Sequence, residues 1–176
     1  SYPWINDTMA VLKRDFLPTD LAGEQAKVSF EGSVAVQARQ TMEETRWLLE
    51  LADAHAWILG VVGWVDLQSD DAPQELARFA EHKKFAGVRH VVQDEPDDGF
   101  MLQPRFLHGI EALAPLNLTY DLLTFPKQLG SAIELAKKFP NQPFVVDHLS
   151  KPEIAGGILQ PWKDQIRELA TLTNVH

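Results

Sequence analysis

Apolar and polar positions change rhythm along the chain in a regular way. Runs rich in valine, isoleucine, leucine and phenylalanine (SVAVQA at 33–38, ILGVVGWVDL at 58–67, AGVRHVV at 86–92, NLTYDLLTF at 117–125 and PFVVDHL at 143–149) are separated by stretches in which apolar residues recur at helical spacing. The runs have the length and β-branched content of strands, and the stretches at 41–55, 71–83, 103–114, 126–139 and 161–172 carry the period of amphipathic helices. In the first of these helices Trp47, Leu48, Leu51, Ala52 and His55 fall on one face, and Thr41 with Glu44 predicts a capping box at its start. Pro104, Pro126 and Pro161 stand where a helix would begin, a position at which the missing N–H costs nothing.

The strand starts recur at roughly 30-residue spacing, one βα unit each, and a further strand is expected to open near Asn174. Nearly continuous apolar runs indicate parallel strands covered on both faces. The expected fold is therefore α/β, either a (β/α)8 TIM barrel or a doubly wound sheet. No G-x-G-x-x-G follows the first run, which favours the barrel. Such barrels take about 250 residues, so residues 1–176 are expected to be one domain forming a partial barrel. The opening 32 residues lack a strand-like run and are expected to be a long loop with a short helix near Asp20.

Composition narrows the function classes. With 45% apolar residues the chain has enough material for one core. A net charge of −9, from 25 acidic and 16 basic residues, argues against a nucleic-acid partner, and the basic pairs Lys83-Lys84 and Lys137-Lys138 fall near helix ends. No apolar run approaches the roughly 20 residues of a membrane helix, and SYPWINDTMA does not look like a leader, so a cytoplasmic protein without membrane contact is expected. The chain has no cysteine, so any metal has to be held by histidines and carboxylates. The oligomeric state is left open.

Every strand run ends in polar residues, and in a barrel the reacting groups lie at those C-terminal ends. Period-two alternation predicts His148 pointing into the barrel with Val146 and Phe144, and Asp147 toward the helices. It likewise predicts His90 inward with Val88 and Ala86, Arg89 outward, Trp64 beside Asp66, and Thr119 beside Asp121. His148 suits a metal ligand, a general acid or base, or a donor polarising a carbonyl. His90 and Lys151 join it as candidate catalytic groups, with a histidine bonded to a loop as the alternative for His90. Trp64, Asp66, Asp121, Arg89 and Gln37 are candidate substrate-binding residues. For Asp66 and Asp121 the alternative is capping of a turn or helix; for Arg89 and Asp147 it is a structural pair. His55, His82 and His108 are expected at the surface, and Trp47, Trp57 and Trp162 in packing.

The succession YPW, RDFLPTDL, VAVQA, EETRWLLELAD, GVVGWVDL, GVRH, YDLL and FVVDHLSKP resembles the amidohydrolase-related barrel hydrolases, in their sugar-lactonase branch. The resemblance implies a hydrolase that opens a sugar 1,4-lactone or similar lactone ring, with water activated by an aspartate on the eighth strand. It implies a carbonyl polarised by histidines, or by one divalent metal such as zinc with His148 among its ligands; a metal-free site stays open. The partner implied is a small-molecule lactone. His148 matches the family's sixth-strand histidine, so the runs here correspond to about strands 2 to 7. The family's strand-one H-x-H is then expected before Ser1 and its eighth-strand aspartate after His176. On that expectation residues 1–176 alone form an inactive segment with open sheet edges. A pyrone-dicarboxylate lactonase, for which Arg39, Arg89 and Arg105 are candidate carboxylate clamps, a metal-dependent decarboxylase and a non-catalytic barrel segment are the alternatives.

Overall fold

In the computed structural model, which describes residues 5–176, all five runs form strands of one sheet in the order β1-β2-β3-β4-β5. The strands are β1 (Ser33–Val36), β2 (Ile58–Gly63), β3 (Phe85–His90), β4 (Thr119–Leu122) and β5 (Phe144–Val146), and each pairs with its neighbour in parallel. Helices α2 (Met42–Ala54), α3 (Ala72–Ala80), α4 (Pro104–Glu111), α5 (Leu129–Lys138) and α6 (Trp162–Leu169) follow the strands in turn. Val175 bridges Phe144 in parallel, where the further strand was expected. This is the architecture of a partial (β/α)8 barrel.

The N-terminal part carries more structure than a loop with a short helix. A 3-10 segment covers Asp7–Leu12, and α1 runs over Pro18–Val28, its first turn tied by the Leu17 N–H donating to Asp20 Oδ2 at 2.8 Å. The YPW of the resemblance lies outside the described residues. Pro104 opens α4 as expected, whereas Pro126 opens a 3-10 turn and Pro161 sits at the N-cap of α6.

The capping box is only half made. Thr41 Oγ1 accepts from the Glu44 N–H at 3.2 Å, but the Glu44 carboxylate accepts from the N–H groups of Ala38 (2.9 Å) and Arg39 (2.5 Å). The loop after β1 would otherwise leave those two donors bare, and the buried Glu44 serves them instead of its own cap. On the same helix Leu48, Leu49 and Ala52 are buried, while Trp47 is 41% exposed and does not belong to the core.

Two bulges decide which way the strands face. Between Ser33 and Val34 the pairing with β2 jumps from Ile58 to Gly60, and between Val61 and Val62 the pairing with β3 jumps from Phe85 to Gly87. Leu59 and Ala86 are the extra residues, each followed by a glycine, and each inserts one position into the alternation. Gly87 has no alternative there, because a Cβ would lie 2.6 Å from the Thr119 carbonyl oxygen. Beyond the bulges Val61, Val88, Tyr120, Leu122 and Phe144 all join the core against the helices. An aromatic chain runs through it, with ring centroids 5.1 Å apart for Phe100 and Phe106, 5.7 Å for Phe106 and Tyr120, and 6.2 Å for Tyr120 and Phe144. The opposite, concave face carries exposed Val34 and Leu59 and, nearer the strand ends, Arg89 and Asp121.

Candidate functional site

The strand ends place the candidate residues in three separate groups. The first lies on the concave face. Arg89 and Asp121 are direct cross-strand partners, and Arg89 Nη1 meets Asp147 Oδ2 at 2.7 Å with both side chains largely buried. Arg89 also donates through Nη2 to the Gln37 carbonyl, while Gln37 Nε2 returns a bond to the Arg89 carbonyl at 3.0 Å. The expected orientation is thus reversed: Arg89 and Asp147 face the barrel interior, and Val146 and Phe144 face the helices. The bulge at Ala86 is the reason for β3, since it breaks the face that His90 was expected to share with both Val88 and Ala86.

Asp121 is 4% exposed in this group, and burial, reinforced by the charge of Asp147, pushes its carboxyl up to about 7. The Arg89 guanidinium and a bond from Thr119 Oγ1 at 3.4 Å oppose the shift without cancelling it. A carboxyl whose folded value lies above the unfolded value of 3.8 holds its proton more tightly when folded. Stability therefore falls as pH rises from about 4 to about 7 and is level with respect to this group above that. The Asp121→Asn variant of the full protein escapes this cost. Its melting temperature is expected to gain on the parent's between pH 5 and pH 7, by no more than about 3 kcal/mol in free energy, and to hold that lead at higher pH. Melting curves at five pH values check this, and a difference that does not vary with pH sinks it.

The second group rims the C-terminal ends of β2 and β3. His90 stacks on Phe100 at 4.8 Å, accepts from Trp64 Nε1 at Nδ1 (3.4 Å) and meets Glu95 Oε1 through Nε2 at 2.6 Å. With Nδ1 accepting, the ring proton of neutral His90 lies on Nε2 and is donated to Glu95. Glu95 was not singled out, and a carboxylate five residues past a strand end, beyond a 3-10 turn, leaves no periodic signal. Trp64 and Asp66 lie past the end of β2, so no pleat pairs them. Asp66 is exposed and accepts from the Gln68 N–H at 3.0 Å, the turn-capping alternative.

The third group is the segment after β5. β5 ends at Val146, so the alternation does not reach His148, whose backbone is left-handed (φ 52°) and whose side chain is exposed. Its imidazole has no hydrogen-bond partner among the described residues, whereas Lys151 Nζ is held by Gln93 Oε1 at 2.8 Å. Elsewhere His82 pairs with Asp53, His108 is exposed, and Arg39 and Arg105 are exposed.

Among the described residues no three histidine, aspartate or glutamate side chains converge on one point. The Asp147 carboxylate is already taken by a guanidinium. These residues do not by themselves fit a metal, and His148 stands as a single candidate donor. No helix among the described residues is long and apolar enough to cross a membrane.

Comparison with known proteins extends this geometry. The chain is 38% identical over 98% of its length to an L-fucono-1,5-lactonase of Burkholderia ambifaria, and 39% identical over 99% to one of Burkholderia multivorans. It spans 60% of the length of each of these curated relatives. A crystal structure of an amidohydrolase from Burkholderia multivorans with bound zinc superposes with a TM-score of 0.93 at 37% identity, covering 99% of this chain and 62% of that one. The family model described as Amidohydrolase matches residues 7–176, and the chain belongs to that family.

Proposed function

We propose that this chain supplies the middle strands of a hydrolase that opens a sugar lactone, with L-fucono-1,5-lactone and related 1,5-lactones as first substrates. The single observation that carries the reading is His148: exposed, unpartnered, and displayed at the C-terminal end of a barrel strand, where such folds place their chemistry. The relatives' names point to the six-membered 1,5 ring rather than the 1,4 ring. In the proposed reaction water adds to the lactone carbonyl carbon, the carbonyl oxygen gains negative charge, and the ring C–O bond breaks, one water proton passing to the departing ring oxygen to make the hydroxyl and the other being released as the acid ionises to the carboxylate. His148 donates to the oxygen that gains charge, and Lys151 adds positive charge nearby. Trp64, His90 and Glu95 are bonded in a row at the ends of β2 and β3, and Asp66, just past β2, is exposed.

The pyrone-dicarboxylate alternative fits less well. Its two carboxylates call for free arginines; of the three candidates Arg89 is committed to Asp147 and the Gln37 carbonyl, which leaves only the exposed Arg39 and Arg105. The similarity to a pyrone-dicarboxylic acid hydrolase, 17% identical at a TM-score of 0.68, bears on the fold alone.

The test is a panel of sugar 1,5- and 1,4-lactones and a pyrone dicarboxylate, incubated with the full protein with and without chelator while acid release is followed. Hydrolysis of the sugar 1,5-lactones ahead of the others is expected. Folded protein that hydrolyses none of the lactones overturns the reading.

A further inference from the structure

We propose that the turn Asp147–Lys151 is a strained platform that aims His148, and that Trp162 is the positioning residue that holds it. This inference rests on the lactonase reading for its catalytic half. His148, Leu149, Ser150 and Lys151 have φ of 52°, 51°, 56° and 48°, four consecutive non-glycine residues in the left-handed region. Each such residue costs roughly 1–2 kcal/mol, and a run of them persists only where the surroundings over-determine it.

The surroundings do so one residue at a time. Asp147 is held by Arg89 of β3 at 2.7 Å. The Leu149 carbonyl accepts from Trp162 Nε1 of α6 at 2.7 Å, and the residue is 60% exposed, so a bond and not packing holds it. Ser150 Oγ accepts from Thr124 Oγ1, just past β4, at 2.8 Å, both residues being fully buried. Lys151 Nζ donates to Gln93 in the loop after β3 at 2.8 Å. Four residues of the turn are each tied to a different part of the fold, and the fifth, His148, is tied by nothing through its side chain. A turn of merely structural purpose gains nothing from leaving that side chain free. A turn built to present an imidazole in one direction needs this arrangement, because misplacement by about 1 Å costs a reaction about a hundredfold.

The test uses the full protein, with kinetics on L-fucono-1,5-lactone and histidine-selective NMR. Trp162→Phe keeps an aromatic ring at the start of α6 and removes the donor to Leu149. The expected result is a folded variant whose kcat falls about tenfold or more while KM changes by less than about threefold, since the lost interaction serves the transition state. The His148 ring signals shift or broaden in the same variant while those of His82 and His108 stay in place. Leu149→Gly is the second variant and keeps the question open to test if Trp162→Phe does not fold. Glycine relieves the left-handed strain, so its melting temperature is expected to hold or rise while kcat falls and the His148 signals broaden. Unchanged kcat, or unmoved His148 signals, in the folded variants overturns the proposal. If the parent protein hydrolyses no lactone, the lactonase reading fails, and the His148 signals alone decide whether the turn aims this ring.

Discussion

On the proposed lactonase reading, replacing His148 by alanine is expected to lower lactone turnover in the full protein by about two orders of magnitude or more, the scale of losing one electrostatic stabiliser of a developing oxyanion. The fold survives the change. The side chain is exposed and makes no hydrogen bond among the described residues, so its removal leaves no cavity and strands no partner. Loss of activity with an unaltered melting curve is the combined signature of a residue displayed for chemistry. Steady-state kinetics beside thermal melts check it, and near-normal turnover by folded protein removes His148 from the reaction.

Arg89→Ala has the largest expected effect on stability. Its guanidinium and the Asp147 carboxylate are 12% and 14% exposed, and Asp121, 4% exposed, is its cross-strand partner. Truncating the cation leaves Asp147 buried and unpaired beside a second carboxyl, and breaking such a pair costs about 3–5 kcal/mol. The Gln37 carbonyl loses a donor as well. Denaturant melts of Arg89→Ala, Asp147→Asn and the double variant measure this. The double variant is expected to lose less than the two single losses combined, since removing both partners strands neither. A loss below about 1 kcal/mol for Arg89→Ala would place the pair among ordinary surface bridges and remove it as the lock of the concave face.

The pair was legible in the sequence only as two residues at strand ends. Arg89 and Asp147 do meet as a buried pair, while their direction came out opposite to the alternation. Leu59-Gly60 and Ala86-Gly87 carried the only hint, a glycine inside each strand, and glycine there signals either a bulge or a close approach. Here it signals both, since Gly87 also packs against the Thr119 backbone. For His148 the alternation had no strand to act on. Val146 ends β5, and the left-handed turn begins before a pleat can assign the next side chain to a face.

By itself the sequence determined the order of elements, the parallel sheet and the family, because these depend on local period, on apolar runs long enough to be covered on both faces, and on motifs met in the right succession. It also determined which strand ends carry titratable groups. Only the tertiary structure decided which of those groups meet. Arg89 and Asp147 are separated by 58 residues, and Trp162 reaches Leu149 across the joint of a strand turn and a helix. Such contacts depend on bulges, strand ends and left-handed backbone, features in which one residue more or less turns a side chain to the opposite face.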